Sequence, residues 1–223
     1  MRLRLRRGKP TETSRLEAFS DGVFAVAITL LALDLGRIHA DPGAVPPVTL
    51  FDSLRAGWPT LLAFGGAFAF VGIAWTNHHN VFVRVKSISR SLNGANLILL
   101  AAVAMVPWAT SALADGLVDN ADEASRQAML LYAAVTGFGA LTWGLLFHVL
   151  SSNPDLLKDP RHAHEFAADR VGTVIGLTLL AAATVVGYIW SPIIGSVLLL
   201  LIPVIYAVAS EGFERTGSPG PAA

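Results

Sequence analysis

Arg15 to Leu35, RLEAFSDGVFAVAITLLALDL, is an apolar run that carries carboxylates at both ends. Its charge-free part, Gly22 to Leu33, is too short to cross ~30 Å of bilayer hydrocarbon, which takes about 20 helical residues. Only with Glu17, Asp21 and Asp34 included does the stretch reach that length. A carboxylate inside a span is expensive unless it faces protein or water. The segment is therefore predicted to be a membrane-spanning helix that lines a water-accessible path or lies buried among its neighbours.

Composition agrees. Apolar residues make up 53% and charged residues 14% of the chain, against about 25% charged in an average soluble protein. A net charge of zero leaves no broad basic surface of the kind nucleic acid requires, so nucleic acid is not an expected partner. The absence of cysteine excludes disulfides, thiol catalysis and thiolate metal sites. Residues 1–15 are basic, but the apolar run behind them starts with acids and ends without a small-residue cleavage site. They are predicted to be a cytoplasmic tail and not a secretion signal.

Further spans follow from the long charge-free intervals Ala56–Val83, Ser91–Ala114, Gln127–Pro154 and Val171–Ser210. The last is about twice a single span's length and is interrupted by Trp190-Ser191-Pro192, where Pro suits the first turn of a new helix. The expectation is an all-α integral membrane protein of six transmembrane helices per subunit. Residues 16–210 form the membrane domain and 211–223 a disordered tail. With both termini cytoplasmic, thirteen basic residues fall inside and three outside, which satisfies the positive-inside rule. The Pro-rich segment 36–47 is expected to be irregular and to lie over the outer mouth. Residues 153–170, with His162, His164 and Glu165, are expected to form the largest inner loop.

At helical spacing Val26, Leu30 and Leu33 share one stripe, continued by Val23 and Phe19 below, with Thr29 beside it. Two readings stay open. The stripe packs against protein or lipid, or it lines a pore in which apolar side chains from several subunits meet as a gate or filter. One helix cannot enclose a hole, so the second reading requires an oligomer.

Arg15, Phe19, Ser20 and Asp21 form R-x-x-x-F-S-D, followed directly by GVFAVAITLL. This resembles the signature first helix of the lysosomal potassium channel family (transmembrane protein 175 type), and more closely its bacterial members, which carry one six-helix unit per chain. The resemblance extends to Trp75, His78 and His79 in the second span and to Asn96 and Pro107 in the third.

The resemblance implies a homotetrameric, potassium-preferring cation channel in the bacterial plasma membrane. The first helix of each subunit would line its pore, with no cofactor and no metal beyond the permeating potassium. It places the hydrophobic constriction at Val26, with further apolar layers at Leu30 and Leu33, and a hydrated ion layer at Thr29. Val26 departs from the more usual Ile or Leu, which implies a wider neck and a weaker potassium preference. Arg15, Phe19, Ser20 and Asp21, with His78 and His79, would form a polar network that sets how the pore helix rotates and packs. By its own chemistry Asp21 either takes hydrogen bonds from groups such as Ser20, His78, His79 or Asn80, or rests at the headgroup level near the helix N-terminus.

Other patterns carry less. Thr173-Val174-Ile175-Gly176 lacks the continuation of a carbonyl filter, and Gly172-x-x-x-Gly176 reads as helix packing. His162, His164, Glu165 and Asp169 lack zinc-protease spacing. No nucleophile–base cluster falls within the spans, which disfavours an enzyme. The competing function is a secondary transporter or proton-coupled carrier that uses Asp21 and His78 as a titrating pair. It is disfavoured by an apolar middle that keeps carboxylates to the ends.

Overall fold

The computed structural model describes residues 12–39, 48–118 and 122–217. Seven α-helices occur among them: α1 (Glu12–Leu33), α2 (Leu50–Ala56), α3 (Trp58–Val83), α4 (Arg90–Val118), α5 (Asp122–Ser152), α6 (His162–Ile189) and α7 (Pro192–Gly217). Five are long and apolar enough to cross a membrane: α1, α3, α4, α5 and α6. The described apolar stretch of α7, Pro192–Pro203, is shorter.

Local chemistry sets the helix starts. Thr49 and Asp52 close a reciprocal capping box that opens α2, a short helix that hydropathy alone does not mark. Pro59 and Pro192 stand in the first turns of α3 and α7, where a missing N–H removes no helical bond. The Ser89 hydroxyl accepts from the Leu92 N–H at 3.1 Å and starts α4. As expected, the long apolar run breaks at Trp190-Ser191, so α6 and α7 form a tight hairpin. Gly187 and Gly195 let the two backbones touch there: a Cβ on Gly187 would lie 2.7 Å from Gly195 Cα and overlap Met129.

α1 packs against α3 and α4, α5 against α4, α6 and α7, and α3 against α7. Two clusters fill the interior. One gathers Phe24, Leu31, Val71, Leu100, Tyr132 and Leu199. The other gathers Phe82, Leu92, Leu146, Leu150 and Phe166, and Trp143 packs against both. The second cluster ends where the α3–α4 and α5–α6 connections pair. Lys86 N–H donates to Leu156 O at 2.7 Å, and Lys158 N–H to Arg84 O at 2.9 Å.

Three expectations need correction. His162, His164, Glu165 and Asp169 are not in a loop but in the first turns of α6. The helix begins early because Asp159 and Pro160 turn the chain and Glu165 complements the positive end of the helix dipole. The Arg161 backbone N–H donates to Asp159 at 2.9 Å and holds its carboxyl below the usual carboxylate range. Second, α7 continues to Gly217, past the expected start of a disordered tail at residue 211. Third, α4 and α5 run beyond the charge-free intervals to Val118 and back to Asp122, because helical hydrogen bonding does not stop where hydropathy falls. Residues 1–11 of the expected N-terminal tail (1–15), residues 40–47 of the proline-rich segment (36–47) and residues 218–223 lie outside the described residues, whereas α1 already begins at Glu12, inside the expected tail.

Candidate functional site

α1 has two faces. Ser20, Phe24, Ala27 and Leu31, three or four residues apart, are buried against α3 and α4. The opposite face carries the apolar stripe: Phe19, Val26, Leu30 and Leu33 are 55%, 57%, 44% and 70% exposed. An isolated protomer thus leaves large side chains uncovered along a single line. At 1.5 Å per residue Val26 and Leu33 lie ~10 Å apart along the axis, with Leu30 between them. Thr29, also exposed, donates its hydroxyl proton to Val26 O at 2.8 Å. Its oxygen lone pairs remain available to a cation or its water.

The buried face is locked by a polar layer. Ser20 Oγ donates to Leu16 O at 2.9 Å, Asn96 Nδ2 donates to Ser20 Oγ at 3.1 Å, and His78 Nε2 lies 2.8 Å from Asn96 Oδ1. The directions follow in sequence. Ser20 commits its proton to the backbone, so it accepts from the Asn96 amide. The Asn96 oxygen then accepts, which puts the His78 proton on Nε2. All three residues are fully or almost fully buried. Phe24 tilts against the His78 ring and Phe82 stacks on it, with centroids at 5.4 and 4.4 Å. One hydrogen-bond chain therefore links α1, α4 and α3.

Asp21, the next residue, takes a different partner. Trp75 Nε1 donates to Asp21 Oδ1 at 2.9 Å, and His79 stacks on Trp75 at 6.5 Å. At the far end of α1, Ser111 of α4 donates to Asp34 at 3.1 Å. Asp21 and Asp34 thus each accept from a neutral donor, on α3 and α4 respectively.

Of the six expected network residues, Ser20 and His78 enter the buried chain, Asp21 bonds to Trp75, and His79 touches it only through Trp75. Arg15 and Phe19 lie exposed and outside both sets. Trp75 as the partner of Asp21, and Asn96 as the bridge, were not assigned those roles from sequence. Spacing held part of the signal: Trp75 and His79 share one face of α3, and His78 and Phe82 another.

A family model described as the endosomal/lysosomal potassium channel TMEM175 matches residues 15–107. A potassium channel of Streptomyces collinus is 44% identical over 151 residues, covering 67% of this chain and 69% of that protein. The chain belongs to the TMEM175 family. The crystal structure of a lysosomal potassium-selective channel TMEM175 homolog from Chamaesiphon minutus aligns with a TM-score of 0.75 at 32% identity, over 89% of this chain and 98% of that one. The endosomal/lysosomal proton channel TMEM175 of Mus musculus is 34% identical over 167 residues, 71% of this chain and 34% of that protein. The segment matched by the TMEM175 model contains Ser20, Asp21, Trp75, His78 and Asn96, so both polar sets lie inside it.

Proposed function

We propose that the protein is a passive, potassium-preferring cation channel whose pore is lined by α1 from several copies around an axis. The observation that carries this reading is the uncovered stripe of α1, set opposite a face locked by hydrogen bonds. In the assembly, four copies by family resemblance, Val26, Leu30 and Leu33 would form successive apolar rings. An ion crossing such a ring gives up water without receiving carbonyl oxygens in return. Potassium holds its water less tightly than sodium, so a narrow oily neck penalises it less. Thr29 offers hydroxyl oxygens between the rings. Val26 is smaller than Ile or Leu by one carbon, which widens the first ring and weakens the preference.

In this reading α7 is the sixth span, both termini are cytoplasmic, and the channel sits in the bacterial plasma membrane. The charge asymmetry supports that orientation, and the names of the relatives support the permeant ion. The carrier alternative finds less support. His78 spends its Nε2 proton on Asn96, and Asp21 takes its bond from Trp75, so neither is the hydrogen-bond partner of the other.

Single-channel recording of purified protein in a planar bilayer tests the proposal. The expected result is discrete currents whose reversal potential in opposed potassium and sodium solutions favours potassium. Transport without unitary events, at carrier-like turnover, would contradict it.

A further inference from the structure

Away from the stripe, α3, α5, α6 and α7 enclose a half-open cleft of about 460 Å³. Its walls change character from end to end. Asn77, Asn80, Arg84, Glu165 and Asp169 line one end; Phe70, Leu180, Ile202 and Pro203 line the other, with Gly176 between. From Phe70 to Arg84 the cleft follows α3 for ~21 Å, more than the ~15 Å of hydrocarbon in one leaflet. Its polar end lies where α3 gives way to the paired connections, at the end of that candidate span.

The polar groups at that end have unused capacity. Arg84 donates from Nη1 to Glu165 Oε2 at 3.0 Å and lies over the Phe166 ring at 5.8 Å, which leaves further guanidinium N–H groups unused in a residue that lines the cleft. The same Glu165 oxygen is 3.1 Å from His162 Nδ1, so Oε1 has no partner among the described residues. The side-chain amides of Asn77 and Asn80 make no hydrogen bond among the described residues.

We propose that this cleft binds one phospholipid molecule with a primary-ammonium headgroup. Arg84 and the two amides supply donors for the phosphate, Glu165 Oε1 accepts from the ammonium, and an acyl chain lies along Gly176 against Phe70, Leu180 and Ile202. A zwitterionic headgroup matches a guanidinium paired with a carboxylate, its phosphate meeting Arg84 and its ammonium Glu165. The proposal rests on the membrane fold and is independent of what the pore conducts.

The test uses delipidated protein in detergent and reads its thermal unfolding midpoint. Short-chain phosphatidylethanolamine at saturation should raise the midpoint by about 5 °C. The matching phosphatidylcholine, whose quaternary nitrogen has no N–H to give Glu165, should raise it less, and soluble phosphoethanolamine should leave it unchanged. Glu165→Gln should reduce the difference between the two lipids. A Cβ on Gly176 meets nothing within 4 Å, so Gly176→Leu should fold normally, fill the cleft and abolish the lipid effect. Three results would overturn the proposal: an undiminished lipid effect in Gly176→Leu, an equal rise from phosphoethanolamine alone, or a disulfide between two copies of Gly176→Cys. The last would mean that a second copy occupies the cleft, and it reads cleanly because the chain has no other cysteine.

Discussion

The indole N–H of Trp75 reaches the carboxylate of Asp21 at 2.9 Å, across 54 residues of sequence. The bond ties the N-terminal half of α1 to α3 beside the buried layer of Ser20, Asn96 and His78. Together with that layer it holds α1 against α3 and α4, with Val26, Leu30 and Leu33 on the exposed side.

Because Asp21 is exposed in the protomer, its bond to Trp75 contributes modestly to stability. Trp75→Phe should lower the stability of the detergent-solubilised protein by about 1 kcal/mol. Asp21→Ala should reduce the assembled fraction by size-exclusion chromatography more than it changes the reversal potential of channels that do assemble. A fully assembled Asp21→Ala protein with inverted selectivity would assign Asp21 to the ion path instead.

The buried layer should be less tolerant. Asn96→Ala leaves the His78 N–H without its acceptor and takes the donor from Ser20, away from water, for a loss of about 2–4 kcal/mol. Ser20→Ala leaves one amide proton unsatisfied and should cost about 1–2 kcal/mol. Chemical denaturation in detergent, compared across the two variants, checks the order.

The α6–α7 hairpin depends on close backbone contact. Gly187→Val would drive its side chain into Gly195 and Met129 and should destabilise the protein by about 1–3 kcal/mol. A melting temperature unchanged from the parent would show that the hairpin opens without consequence.

Ring size should control selectivity. Leu30→Ala enlarges the neck, so an ion sheds less water and sodium permeation should rise relative to potassium. Val26→Leu should act in the opposite direction. Reversal potentials in mixed salts measure both. No shift in either variant would remove the stripe from the ion path.

Much of this was legible in the sequence, for a simple reason: apolar runs of about 20 residues are long enough to cross hydrocarbon, and Pro192 suits the first turn of a new helix. The stripe on α1 was also visible, since three- and four-residue spacing defines one face without knowledge of any neighbour. What was missed depended on other physics. α2 follows from a reciprocal cap between Thr49 and Asp52, and the start of α6 at His162 from a turn at Asp159-Pro160, neither of which hydropathy reports. Trp75 as the partner of Asp21 and Asn96 as the bridge between Ser20 and His78 are contacts between distant segments. Helix spacing limits which residues share a face, but packing decides which face meets which neighbour.

The central claim is that the uncovered face of α1 surrounds the ion path. Single cysteines introduced into this cysteine-free chain at Val26, Leu30 and Leu33, with Leu31 on the buried face as control, test it through block of current by silver ions, which are close to potassium in size. The account predicts irreversible block of Val26→Cys, Leu30→Cys and Leu33→Cys channels and continued current through Leu31→Cys. Undiminished current through Leu30→Cys in the presence of silver would contradict it.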